Sequence, residues 1–111
     1  MNYHKFFVDN IDENDLVLDI GCGNGALSYD IAKKAKKVVG IDLNEKNISF
    51  AKERYSKENI EWGDALKDLP DERFDVIIMS NVLEHIENRV EFLRRLREKA
   101  ATFFNTSTND K

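Results

Sequence analysis

The sequence predicts an α/β protein in which a mostly parallel sheet is flanked by helices. Three observations predict it. Short apolar runs recur at Leu16–Ile20 and at residues 38–42 and 74–80; stretches with helical spacing separate them; and a glycine loop, Gly21-Cys22-Gly23-Asn24-Gly25, follows the first run. Strands that are apolar on both faces belong under helices on both sides, and the alternation of strand with helix is what a parallel sheet requires. At 111 residues the chain is long enough for one apolar core and too short for two, so a single domain over 1–111 is expected.

Residues 1–14 read as an N-terminal helical segment, with Phe6 and Phe7 as its core contacts. The first strand, Leu16–Ile20, is entered at Asn14-Asp15 and stopped by Gly21. From Ala26 onward Leu27, Ile31, Ala32 and Ala35 recur at helical spacing. Lys33, Lys34, Lys36 and Lys37 crowd the end of this helix, where cations complement its dipole, and read as a solvated helix end. A second strand spans 38–42, and a helix capped by Asn44 follows, with Ile48, Ala51 and Tyr55 on one face. A short third strand over 59–62 ends at Gly63-Asp64, with Pro70 in the loop beyond. The fourth strand, 74–80, is too apolar to be anything but buried. The last helix is expected to turn Val90, Leu93, Leu96 and Ala100 inward and Arg94, Arg95, Arg97 and Glu98 mainly outward. A fifth strand is expected over 102–106, followed by a polar, frayed tail over 107–111.

Composition narrows the function. No apolar run approaches the length that crosses a bilayer, and the N-terminus reaches Asp9 too soon for a secretory signal, so a cytoplasmic protein is expected. Cys22 is the sole cysteine, which precludes an internal disulfide, and no His or Cys companions stand at metal-ligand spacing. The net charge of −4 is expected to disfavour nucleic acid and to suit a weakly charged or cationic ligand.

Strand, glycine loop, then helix is the arrangement that lets backbone approach a nucleotide-like ligand at a helix N-terminus. The loop also satisfies the dinucleotide pattern G-x-G-x-x-A, which keeps a nicotinamide cofactor among the alternatives. Asp19, two positions before the first glycine, is expected by strand alternation to bring its carboxylate toward the loop mouth. A pyrophosphate would be repelled there, whereas a ligand carrying ammonium and sulfonium groups would be attracted. Asp42, at the end of the second strand, stands where an acid can accept bonds from both ribose hydroxyls.

The run Val17-Leu18-Asp19-Ile20-Gly21-Cys22-Gly23-Asn24-Gly25 closely resembles the first motif of class I methyltransferases that use S-adenosylmethionine. Gly40-Ile41-Asp42-Leu43-Asn44 resembles the second, Gly63-Asp64-Ala65 the third, and residues 74–86 the fourth, in the family's order. The resemblance implies a Rossmann-like α/β/α sandwich of about five strands in the order 3-2-1-4-5, lacking the C-terminal strand hairpin of the complete fold. It implies S-adenosylmethionine as cofactor and S-adenosylhomocysteine as product. Asp19 would hold the methionine amino group; Gly21, Cys22, Gly23 and Gly25 would form the cofactor loop; Asp42 would take the ribose; Leu43, Gly63, Asp64 and Ala65 would meet adenine; and Asn81 and Val82 would contact the methionine end.

Methyl transfer from a sulfonium needs an in-line nucleophile and no obligatory acid or base. If a catalytic residue exists it is His85, whose imidazole can take a proton near neutral pH. By analogy with related enzymes Tyr3, His4 and Phe6 could form part of a lid, and Trp62 could flank adenine or fill the sheet edge. The acceptor is expected to be a small molecule, with no membrane partner and with nucleic acid disfavoured. A sheet ending at its fifth strand leaves an edge that invites a second copy or a partner subunit. Two other readings stand beside this one: a SAM-binding module without catalysis, and an NAD-binding dehydrogenase fragment.

Overall fold

A computed structural model of the chain describes residues 3–65, 67, 71–80 and 87–105. The elements are α1 (Tyr3–Asp9), β1 (Leu16–Ile20), α2 (Ala26–Ala32), β2 (Lys37–Asp42), α3 (Glu45–Arg54), β3 (Ile60–Asp64), β4 (Phe74–Met79), α4 (Arg89–Glu98) and β5 (Ala100–Asn105). The five strands form one sheet in the order β3-β2-β1-β4-β5, and every neighbouring pair is parallel. This is the α/β architecture and strand order that the sequence and its resemblance led us to expect.

The central strands form because both of their faces are covered. Val17, Leu18 and Ile20 of β1, Ile41 of β2 and Ile77, Ile78 and Met79 of β4 are all fully buried. Each such side chain contributes roughly 1.5–3 kcal/mol when removed from water. On one face Leu18, Ile20, Ile41, Ile77 and Met79 pack with Phe92 and Leu96 of α4. On the other, Val17, Val38, Ile60, Val76 and Ile78 pack with Phe7 of α1 and Ile31 and Ala32 of α2. Helix α3 lies beside α2, where the Tyr29 and Tyr55 rings are 5.1 Å apart.

The helix ends explain the lengths. Asn44 caps α3, its side-chain oxygen accepting from the N–H groups of Lys46 and Asn47. Helix α2 stops at Ala32. Its freed carbonyls are taken up by Asn59, whose Nδ2 donates to Ala32 O at 2.9 Å and to Ala35 O at 3.2 Å. Ala35, read from periodicity as a helical residue, therefore lies past the helix and is buried there.

Three further details differ from expectation. The inward face of α4 is carried by Phe92 and Leu96 with Leu93 partly buried, whereas Val90 is 79% exposed and Ala100 already belongs to β5. The helix is only ten residues long and begins at Arg89, so Val90 falls in a first turn that overhangs the sheet. Phe7 is buried as expected, but Phe6 is exposed apart from its edge contacts with Phe7 and Phe104. The fifth strand starts two residues earlier than its sequence suggested, because Phe74 N–H bonds to Lys99 O and brings Ala100 into register.

Candidate cofactor site

All five strands run the same way, so the ends of β1, β2, β3 and β4 meet along one edge of the sheet. The order reverses between β1 and β4, the place where open α/β sheets hold their ligands. The glycine loop sits there. Gly21, Gly23 and Gly25 have φ of 80°, 59° and 95°, a left-handed region that other residues enter only with strain. The loop is fastened beneath by the N–H groups of Gly21 and Cys22, both bonded to Ile41 O, and Gly25 opens α2 as its N-cap.

Asp42 ties the second strand to this loop. Its Oδ2 accepts from Gly23 N–H at 2.8 Å, while its Oδ1 accepts from Asn44 N–H at 2.8 Å and Asn47 Nδ2 at 3.4 Å. Two carboxylate oxygens offer about four acceptor positions, so capacity for a ligand hydroxyl remains. Asp42 pairs in register with Asp64 of β3, and Ala65 N–H donates to Asp42 O. Leu43 is partly buried against the core below, and Gly63 and Asp64 are also partly buried.

Asp19 is placed otherwise than alternation suggested. It faces α2 beneath the loop and is only 1% exposed, with Ser28 Oγ donating to its Oδ2 at 2.6 Å. Its other oxygen, Oδ1, is buried with no partner. Alternation gave the face but not the depth, because α2 folds back over that face and brings Ser28 onto the carboxyl. Burial pushes the Asp19 carboxyl up to about 6, the Ser28 bond opposes the rise, the Asp42 charge adds to it and His4 lowers it. Cys22 is buried, and burial with the charges of Asp19 and Asp42 pushes its thiol far up, which disfavours the thiolate.

The loop and the ends of β2 and β3 thus bring together Gly21, Cys22, Gly23, Gly25, Asp42, Leu43, Gly63, Asp64 and Ala65, with Asp19 underneath. Asn81, Val82 and His85 lie outside the described residues. Sequence reasoning missed Ser28 and Asn47. Ser28 was legible as a polar residue on the apolar face of α2, in line with Ile31 and Ala32. Trp62, on the edge strand β3, is partly buried, and its ring packs against Gly40 and Gly25.

The arrangement fits a cationic nucleoside. A Cβ added at Gly23 would meet nothing within 4 Å, so ligand space opens directly over the loop backbone. Among the described residues the hydrogen-bond donors to Asp19 and Asp42 are neutral hydroxyl, amide and backbone groups, and the cation that acts on them, His4, does so on Asp19 only as the smallest of its influences. Such a site repels pyrophosphate and attracts a sulfonium and an ammonium.

Comparison with known proteins agrees. Residues 11–105 match the family model described as a methyltransferase domain. The "Probable ribosomal RNA small subunit methyltransferase A" of Methanococcus maripaludis is 43% identical over 86 residues, which cover 74% of this chain and 32% of that protein. The mitochondrial ubiquinone biosynthesis O-methyltransferase of Candida albicans is 36% identical over 112 residues, covering 89% of this chain and 34% of that one. Among solved structures, a dimethyladenosine transferase from Plasmodium falciparum superposes with a TM-score of 0.62 at 31% identity, covering 81% of this chain and 33% of that one. The chain spans about a third of the length of the curated relatives it matches.

One expectation is corrected here. The expectation that the net charge disfavours nucleic acid does not hold, because relatives that match over most of this chain are named as ribosomal RNA methyltransferases. Net charge averages the whole chain and says nothing of where an acceptor meets the sheet edge.

Proposed function

The chain belongs to the methyltransferase-domain family, and on that premise we propose that it binds S-adenosylmethionine over the Gly21–Gly25 loop as the methyl donor of a methyl transfer. The observation that carries this reading is the pairing of a left-handed glycine loop with two carboxylates that, among the described residues, hydrogen-bond only to neutral donors. The bound cofactor supplies an electrophilic methyl group on a sulfonium. The chain's own residues bind and orient it. Asp42 accepts from the ribose hydroxyls while keeping the loop in place through Gly23. Leu43, Gly63, Asp64 and Ala65 line the adenine end, with the Asp64 carboxylate held by Lys67 N–H. Asp19 acts from beneath the loop through its charge. Asn81 and Val82 complete the methionine end, and His85 takes the acceptor's proton if the acceptor must lose one. The acceptor itself is not assigned by the described residues.

Among the described residues no helix is long and apolar enough to cross a membrane. The cytoplasm as the site of action belongs to the same proposal and rests on composition.

The test is calorimetric titration with S-adenosylmethionine, S-adenosylhomocysteine and NAD, repeated with Asp42→Ala. Micromolar binding of the adenosyl compounds, lost on substitution, is expected. Binding of NAD in their place would overturn the reading. Binding followed by no S-adenosylhomocysteine release with RNA, quinone-like or amine acceptors would reduce it to a cofactor-binding module.

A further inference from the structure

Two glycines, Gly40 of β2 and Gly25 of the loop, lie against one aromatic ring. Trp62 of β3 pairs with Gly40 of β2, which pairs in turn with Asp19 of β1, so the three form one row across the sheet. The indole leans along this row. A Cβ built on Gly40 would stand 2.6 Å from Cζ3 and 2.7 Å from Cε3 of Trp62, and 3.1 Å from Ser28 Oγ. A Cβ built on Gly25 would stand 2.8 Å from Cη2 of Trp62 and 2.8 Å from Cβ of Ala51. The six-membered ring therefore fills a wedge bounded by β2, the last glycine of the loop, α3 and the hydroxyl that holds Asp19. Ala51 is fully buried at its far side.

Ordinary edge-strand packing does not account for this residue. The indole Nε1 is buried and has no partner among the described residues, so the side chain carries a donor that a phenyl or aliphatic group would not. Gly40 has no positive φ, so nothing in its backbone demands glycine; the ring does, with Ser28 Oγ crowding the same space at 3.1 Å. Interiors are close-packed, and a ring wedged against Gly25 fixes how far the loop backbone stands from the sheet.

We propose that Trp62 is the positioning residue of the glycine loop: its ring sets the height of Gly25 over β2, and thereby the affinity of the loop for its adenosyl ligand. The proposal rests on the cofactor reading above. As the only tryptophan of the chain, Trp62 is also a built-in reporter, since its ring touches the loop that the ligand covers.

The experiment uses the full chain and S-adenosylhomocysteine. Trp62→Phe is expected to weaken binding about tenfold, while Ile60→Val, one residue pair along the same buried face of β3, leaves affinity within twofold although it also removes core volume. In the unsubstituted chain, tryptophan emission is expected to shift on titration with the same midpoint as calorimetry. Equal weakening by both substitutions, or no weakening by Trp62→Phe, would overturn the proposal. The second arm needs no ligand. Gly40→Ala is expected to lower the melting temperature by several degrees, and Trp62→Leu together with Gly40→Ala to recover most of that loss relative to Trp62→Leu alone. Additive losses mean that the ring does not control this space, and the proposal falls. If the unsubstituted chain binds no adenosyl compound, the cofactor reading fails, and the size exchange alone then decides whether Trp62 sets the loop.

Discussion

The backbone N–H of Gly23 donates to the Asp42 carboxylate at 2.8 Å, joining the summit of the glycine loop to the end of β2 across 19 positions. One side chain thus shapes the loop and, in the proposed cofactor reading, also meets the ligand. Asp42→Ala is expected to cost roughly 2–3 kcal/mol of stability, since two backbone donors lose a charged acceptor, and to weaken S-adenosylhomocysteine at least tenfold. Asp42→Asn, which keeps one acceptor oxygen, should fall between. Denaturant unfolding beside calorimetry on each variant checks both numbers; equal affinity across the three would remove Asp42 from the site.

The loop glycines should not be equivalent. Gly23 has positive φ but open space around its missing side chain, so Gly23→Ala is expected to cost only about 1 kcal/mol of stability while its methyl obstructs the ligand. Gly25 combines φ of 95° with contacts at 2.8 Å, so Gly25→Ala should cost about 3 kcal/mol or more. Thermal melts that rank the two in the opposite order would refute this account of the loop.

Asp19 gives the protein a pH signature. Its carboxyl is pushed up to about 6, above its value near 4 in the unfolded chain, so the folded state holds the proton more tightly. The stability that Asp19 contributes is therefore fully present below pH 4 and is lost as pH rises through 6, by roughly 3 kcal/mol as an order of magnitude. Asp19→Asn, neutral at every pH and still able to accept from Ser28, should be more stable than the unsubstituted chain at pH 7. The gap should close below pH 4. A gap independent of pH between 4 and 7 would show that the carboxyl titrates normally.

Asn44 offers a contrast between stability and binding. Its side chain caps α3 at 2.8 Å from Lys46 N–H, so Asn44→Ala should cost about 1 kcal/mol. Asp42 bonds the backbone N–H of Asn44 and not its side chain, so cofactor affinity should change less than threefold. A larger loss in titration would mean that the α3 entry belongs to the site.

How much of this could be read beforehand follows from the kind of signal each residue carries. β1, β2 and β4 announce themselves by apolar runs that only a doubly covered strand tolerates, and the glycine loop by residue types that a left-handed backbone demands. Asn44 as a cap was legible for the same local reason. The inward face of α4 was not, because 90/93/96 and 92/96 are both helical spacings and only the starting point of the helix chooses between them. The burial of Asp19 depends on how far α2 folds back, and the seat of Trp62 depends on its register opposite Gly40. Both are tertiary facts, invisible to any window of the sequence.

The aromatic cluster of Phe6, Phe7 and Phe104, with ring centroids 5.3 to 5.7 Å apart, sets an order of assembly. Helix α1 leaves the ribosome well before β5, yet part of its seat is on that strand, almost a hundred residues later. Closing so long a loop is entropically slow, and the contact rewards it only once β5 has joined β4. During synthesis the Phe6-Phe7 segment therefore lacks part of its berth until Phe104 has emerged, and its apolar side chains stay accessible to chaperones or to neighbouring chains.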